Sequence, residues 1–312
     1  MFLANHQNAL LDALLIATHC KRKPYFLTRS DVFKTALLKV FFEFLQMIPV
    51  YRIRDGKNSL AGNTAIFERC AQLLGRGEAV LIFPEGNHSL KRRVRPLSKG
   101  FTRILLLALE SNPSMDIGIV PIGVNYANAA KFPDKAALYY GKEIRVQDFF
   151  DKKDVSGSAS RLKEEVYHHL KKLTTHIEEE SSYEEIVHTL DRAKVDYLDP
   201  AGVNRIIEEG TSPENRKIGK GKVALVKYIL RGAFSILNFP MLIIWSRFIK
   251  PKVSEPEFLS TTRFMYALLF YPFFYLLFIA GMLEFLNWPA TSIICLAHLT
   301  LNIVLVKLSW ED

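Results

Sequence analysis

Cysteine is scarce in this chain. Cys20, Cys70 and Cys295 are scattered over 312 residues, too few and too far apart for a disulfide framework or a zinc cluster. A reducing compartment is therefore the expectation. A signal peptide is not expected either, because the first apolar run contains Asp12 and lacks a basic leader. There is no internal repeat and no low-complexity tract. Acidic residues are outnumbered, 32 against 41 Lys plus Arg, for a net charge of +9. Such a balance favours anionic partners: nucleic acid, phosphorylated metabolites, acyl carriers or lipid head groups. Charged residues make up 23%, which argues against bulk disorder. The 49% hydrophobic share and the mean hydropathy of +0.08 are high for a soluble protein with that much charge. Such an average points to a chain split into a charged part and an apolar part.

The first part, residues 1–178, reads as α/β: a mostly parallel sheet flanked by helices. Apolar runs at 41–48, 79–83 and 117–126 are bounded by Gly, Pro or charge, as buried strands are. Helical patterns at 61–74 and 101–110 lie between them. Strands alternating with helices predict a parallel sheet covered on both faces. Residues 179–222 read as a charged helical linker ending in the Gly/Lys-rich stretch 210–222. Residues 223–312 read as a helical, membrane-associated region. Two uncharged runs, 264–283 and 285–306, are each long enough to span a bilayer. Glu284, Asn287, Trp288 and Pro289 make the turn between them, and Arg263 and Lys307 flank them. That pattern predicts a hairpin with both ends facing the cytoplasm. The shorter run 232–246 reads as interfacial or re-entrant.

Chemistry is carried by a few residues. His6 and Asp12, in NHQNALLD, outline a general-base pair in which the carboxylate fixes the imidazole tautomer. Asn8 is placed to cap the helix that starts there, with Asp12 on its first turn. No serine or cysteine nucleophile accompanies the pair, so direct transfer to a substrate hydroxyl fits better than a covalent intermediate. The run ending in Phe83-Pro84-Glu85-Gly86 reads as a strand feeding a tight loop. Glu85 would stand at the carboxyl edge of the sheet, where ligands bind, and Gly86 would permit close backbone approach. Arg52 and Arg54, then Lys91, Arg92, Arg93, Arg95 and Lys99, supply cations for a phosphate. Nucleic acid is not expected, because the aromatic-rich stretches lie in the apolar C-terminal part, away from these charges.

Taken in order, NHQNALLD, IPVYR, FPEG, LSKG and IVPIGVNY resemble the motif set of the glycerophospholipid acyltransferase family. Its members include glycerol-3-phosphate and 1-acylglycerol-3-phosphate acyltransferases. The resemblance runs from residue 5 to 126 and more loosely to about 178. It implies that His6 is the catalytic base and Asp12 its partner. Arg52 resembles the arginine that binds the acceptor phosphate. Glu85 and Gly86 are similar to the pair that helps bind glycerol phosphate, Lys99 and Gly100 to the Lys-Gly that follows, and Pro121 to a proline near the acyl chain. The implied activity moves a fatty acyl group from acyl-CoA or acyl-carrier protein to a glycerophosphate hydroxyl, at a phospholipid membrane, with the catalytic domain on the cytoplasmic face. It implies no bound cofactor and no metal.

Four features depart from the family pattern. Five residues, not the usual four, separate His6 from Asp12. Asn87-His88-Ser89 stands where Thr-Arg-Ser is usual, so Arg92, Arg93 or Arg95 is expected to replace an arginine. Gln46 stands in place of the second block's glycine. Only Met1–Ala4 precede the first block, which leaves out the strand expected there. The longer His6–Asp12 spacing and the missing strand motivate a competing expectation, a catalytically impaired membrane- or lipid-binding protein that keeps the fold. A third reading, a metal hydrolase using His6, Asp12, Glu85 and His88, has no metal-ligand spacing behind it.

Overall fold

The parallel sheet expected from the apolar runs is present in the computed structural model, which describes residues 1–33, 36–51, 57–210 and 222–310. The chain divides into two units. The first comprises Met1–Ala127 and Lys135–Glu214, the second Asn128–Asp134 and Asn215–Asp312.

In chain order the first unit contains β1 (Phe2–Ala4), α1 (Ala9–His19), β2 (Tyr25–Arg29), α2 (Ala36–Phe44), β3 (Met47–Val50), α3 (Lys57–Gly75), β4 (Val80–Ile82) and α4 (Gly100–Ser111). Then come β5 (Gly118–Tyr126), β6 (Ala136–Tyr140), β7 (Ile144–Arg145), α5 (Val155–Leu173), α6 (Tyr183–Ala193) and α7 (Pro200–Glu209). The sheet order is β3-β2-β4-β1-β5-β6, with β7 pairing the other end of β5. The strands from β3 to β5 run parallel, and β6 and β7 join β5 antiparallel at the edge. The carboxyl ends of β1, β4 and β5 therefore emerge side by side.

The core explains this order. Leu3, Val80, Leu81, Ile119, Ile122 and Val124 are essentially sealed from solvent, as strands covered on both faces require. Phe101, Ile104, Leu105 and Leu109 form the buried stripe of α4. Burying each such side chain contributes about 1.5–3 kcal/mol. Gly123 is glycine by necessity, since a Cβ there would collide with the Leu173 carbonyl at the end of α5.

Several expectations need correction. A strand does precede His6: three residues suffice for β1 because β4 and β5 pair it on both sides. The run read as a strand at 41–48 is divided, with Phe44 ending α2 and β3 starting at Met47. Between them Gln46 takes a left-handed φ of 58°. The stretch expected to be a charged helical linker is helical, as α6 and α7, and also carries a small core in which Tyr183, Leu190, Tyr197 and Val203 are buried together with Ile177. The Gly/Lys-rich stretch 210–222 falls almost wholly on residues 211–221, outside the described residues.

The second unit contains α8 (Lys222–Leu237), α9 (Phe239–Ile244), α10 (Leu259–Leu283) and α11 (Trp288–Trp310). Helices α10 and α11 are long and apolar enough to cross a membrane. Their surfaces expose Leu268, Phe273, Leu277, Ile293, Leu296 and Ile303, the composition of a membrane-associated region.

Candidate active site

The first motif is shaped by hydrogen bonds that its own residues close. Past the end of β1, Asn5 continues the pairing with its side chain: Nδ2 donates to the Val124 carbonyl at 3.0 Å and Oδ1 accepts from the Val124 amide at 2.7 Å. His6 is thereby held at the carboxyl edge of the sheet. The five-residue spacing to Asp12 is closed by Ala9, which takes a left-handed φ of 39°. That conformation costs roughly 1–2 kcal/mol for a residue with a Cβ.

Asp12 offsets this cost. It is fully buried, and its carboxylate accepts four hydrogen bonds. Oδ2 accepts from the Gln7 and Asn8 amides, each at 2.8 Å, and from His6 Nδ1 at 2.7 Å. Oδ1 accepts from the Tyr126 hydroxyl at 2.7 Å. Asn8 is the N-cap residue of α1 but its side chain makes no capping bond; Asp12, in the first turn, instead reaches back to the Gln7 and Asn8 amides. A four-donor cage suits an acceptor-only group, which a carboxylate is.

This cage sets the chemistry of His6. With Nδ1–H donated to Asp12, Nε2 is the ring nitrogen left to take a proton. The ring stacks on Phe83, with centroids 4.1 Å apart and planes 15° from parallel, and its side chain is 16% exposed. It is thus pinned on one side and open to an incoming group. His88 meets the same ring edge-on at 5.6 Å.

The Pro-Glu-Gly corner follows β4, the neighbour of β1. The Gly86 amide donates to the Phe83 carbonyl at 3.1 Å, and Gly86 takes a φ of 75° that a side chain would resist. Glu85 is 3% exposed, and its Oε2 accepts from Arg95 Nε at 2.9 Å and Nη2 at 2.7 Å. Its Oε1 is buried with no partner among the described residues. Burial pushes the Glu85 carboxyl up to about 7; Arg95 opposes that rise and the charge of Asp12 adds to it. An acid whose pKa is raised on folding gives its full stabilisation below its unfolded value, 4.5, and loses it as pH rises through about 7. The wild type is therefore expected to lose thermal stability between about pH 5 and about pH 8 relative to Glu85→Gln, by roughly 3 kcal/mol in the limit. Parallel unfolding curves for the two proteins across that range check this, and equal pH slopes would contradict it.

Lys91, Arg92, Arg93 and Arg95 each have a partner within the protein. Arg92 donates to the Tyr126 and Ala127 carbonyls at 3.1 and 2.8 Å and stacks on Tyr197 at 3.2 Å. Lys91 and Arg93 pair with Glu180, and Arg95 with Glu85. The same loop is tied down where Val94 N–H donates to His176 Nδ1 at 3.0 Å. The fold brings together His6, Asp12, Glu85 and Gly86. Lys99 ends the loop that follows them, exposed at the start of α4, and Ser98 N–H donates to the Pro84 carbonyl at 2.7 Å. Pro121 lies apart from this group, buried in β5 opposite Leu3. Arg52 and Arg54 lie outside the described residues. Neither Asp12 nor Glu85 is arranged as a metal ligand: four donors fill the first, and Arg95 holds the second.

Tyr126 is the residue that sequence reasoning missed. It ends β5, is 4% exposed, and lies 114 residues from Asp12 in the chain. Only the parallel pairing of β5 beside β1 reveals it as a positioning residue, and Arg92 holds its carbonyl. Tyr126→Phe removes one donor of Asp12 and leaves three. Turnover is expected to fall about tenfold, the rate equivalent of a lost charge-assisted hydrogen bond, with acceptor KM unchanged. Steady-state kinetics on both parameters check this; an unchanged kcat would contradict it.

Comparison with known proteins finds matches to part of the chain. Residues 1–125 match the family model described as Acyltransferase. Two curated relatives from Saccharomyces cerevisiae align to part of the chain. Glycerol-3-phosphate O-acyltransferase 1 is 28% identical over 83 residues, and glycerol-3-phosphate O-acyltransferase 2 is 33% identical over 84 residues. Each alignment covers 27% of this chain but only 11% of the relative. Among solved structures, the 1-acyl-sn-glycerophosphate acyltransferase PlsC of Thermotoga maritima aligns at 17% identity and a TM-score of 0.38, covering 55% of this chain and 65% of that one.

Proposed function

We propose that this chain, whose residues 1–125 match the Acyltransferase family model, moves a fatty acyl group from an acyl thioester to a hydroxyl of glycerol-3-phosphate or 1-acylglycerol-3-phosphate. The donor is acyl-CoA or acyl-carrier protein. His6 Nε2 takes the proton of the acceptor hydroxyl as its oxygen attacks the thioester carbonyl. The C–S bond then breaks, and the leaving thiolate takes the proton back from His6, giving an ester and a free thiol. Asp12 stabilises the imidazolium formed in between. Arg52 and Lys99 hold the acceptor phosphate so that the hydroxyl stays within attack range. No step calls for a metal or a bound cofactor.

The observation that carries this reading is the 2.7 Å bond between His6 Nδ1 and a fully buried Asp12 beside the Glu85 corner. Ring and carboxylate on different faces of the sheet would have favoured the non-catalytic alternative; here they are hydrogen-bonded. The names of the yeast relatives support the acceptor class. Basic residues at the ends of the apolar helices, Arg263 and Lys307, support a catalytic domain on the cytoplasmic face. The test is an acceptor screen: membranes containing the full chain receive labelled acyl thioester and either glycerol-3-phosphate or 1-acylglycerol-3-phosphate, and products are identified by mass. Acylated glycerophosphate above the level of empty membranes is expected. Hydrolysis of the thioester with no acylated acceptor would reject the assignment.

A further inference from the structure

The second unit holds an unexpected polar cluster inside its apolar helices. Asn238 sits at the break between α8 and α9, where the helix axes turn through 86°. It is completely buried. Its Nδ2 donates to the Phe234 carbonyl at 2.9 Å and to Asn302 Oδ1 at 2.7 Å. Its Oδ1 accepts from the Tyr271 hydroxyl at 3.2 Å. His298 completes the cluster: Nδ1 accepts from the Tyr275 hydroxyl at 2.7 Å, and Nε2 faces the Leu237 carbonyl at 3.3 Å. The tautomer with Nε2–H satisfies both contacts. Tyr271 and Tyr275 lie near the middle of α10, and His298 and Asn302 near the middle of α11.

The contacts also fix a direction. Along α8, Arg231 donates to the Ser309 carbonyl at the end of α11, and seven residues later Asn238 meets Asn302. Helix α8 therefore descends beside α11 from its carboxyl end to its middle. Helix α9 returns along α10. Asn238 meets Tyr271 at the middle, Met241 accepts from the Tyr266 hydroxyl at 2.8 Å, and Arg263 lies 5.3 Å over the Trp245 ring near the start of α10. The start of α10 and the end of α11 share one face of an antiparallel hairpin.

We infer that α8 and α9 form a re-entrant element, which dips from that face to mid-membrane and returns, packed in lipid acyl chains and sealed at its apex by Asn238, Tyr271, Tyr275, His298 and Asn302. The physical need is clear. A broken helix leaves carbonyls unpaired, and hydrocarbon offers them nothing, so irregular backbone at that depth must be satisfied by protein. Leu237 receives that satisfaction from His298, and the Phe234 carbonyl, already met by the Asn238 amide at 3.1 Å, takes a second bond from the Asn238 side chain. The dimensions agree. Thirteen residues, Leu225–Leu237, bent symmetrically at 86°, reach roughly 13 Å down, close to half of a ~30 Å core. Ile229, Ile236, Phe239 and Ile243 point outward from the element, as contact with acyl chains requires. Both ends are basic, with Lys227 and Arg231 on one side and Arg247, Lys250 and Lys252 on the other, which places them on one face. The inference stands independently of the acyl-transfer proposal.

The test uses the full chain in sealed native membranes, in a Cys20→Ser background, since Cys70 and Cys295 are buried. Single reporters are introduced as Tyr228→Cys, Lys252→Cys and Phe285→Cys, none of which touches the polar cluster. An impermeant thiol reagent is expected to label the first two from the same face and the third only after permeabilisation. Labelling of Tyr228→Cys and Lys252→Cys from opposite faces would overturn the inference in favour of a bent span. A fluorophore on Ile236→Cys reads depth. Lipids brominated at mid-chain are expected to quench it more than aqueous iodide does. The reverse order would mean a segment lying flat at the interface and would equally overturn the inference.

Discussion

Asp12→Asn is expected to lower acyl transfer by about two to three orders of magnitude while leaving the protein folded. The cage around Asp12 explains both halves of that result. An amide oxygen in the place of Oδ2 can still accept from the Gln7 and Asn8 amides and from His6 Nδ1. The amide nitrogen then faces the Tyr126 hydroxyl, which can rotate to accept from it. Hydrogen bonds survive in number, and the start of α1 stays capped. What disappears is the negative charge that stabilises the imidazolium as His6 takes the hydroxyl proton. Thermal unfolding curves beside initial rates check the separation. A variant that unfolds in step with its loss of activity would assign Asp12 a capping role alone.

The division between what the sequence revealed and what it hid follows from range. His6, Asp12, Glu85 and Gly86 were legible because each lies within a short motif at a strand end, and strand ends of a parallel sheet converge on one edge. The apolar runs of β4 and β5 were legible because both of their faces are buried. Tyr126 was invisible, since its bond to Asp12 spans 114 positions and depends on strand order. The fate of Arg92 and Arg95 was hidden for the same reason: nothing local tells an arginine bound for a substrate phosphate from one committed to a backbone carbonyl or a buried Glu85. β2, β6 and β7 escaped because they are short and partly exposed, so periodicity is weak in them. Phe41–Phe44 misled because an amphipathic helix ending in aromatics reads like a buried strand over so short a window. In the second unit, hydropathy located α10 and α11 but could not show that Asn238, His298 and Asn302 meet.

His6→Ala carries the largest expected loss. The ring is mostly buried and stacked on Phe83, so its removal leaves a small gap at the sheet edge. The β1 core beneath it is untouched, with Leu3 and Ala4 fully buried. Destabilisation should therefore be modest. The loss of a positioned base from a direct transfer, with no second nucleophile to take over, is expected to cost roughly a thousandfold or more in kcat. The decisive measurement compares the initial rate of acylated glycerophosphate formation in membranes holding equal amounts of folded wild-type and His6→Ala protein. Transfer in the wild type and none above empty membranes in the variant is the predicted result. Undiminished transfer by His6→Ala would contradict the account at its base.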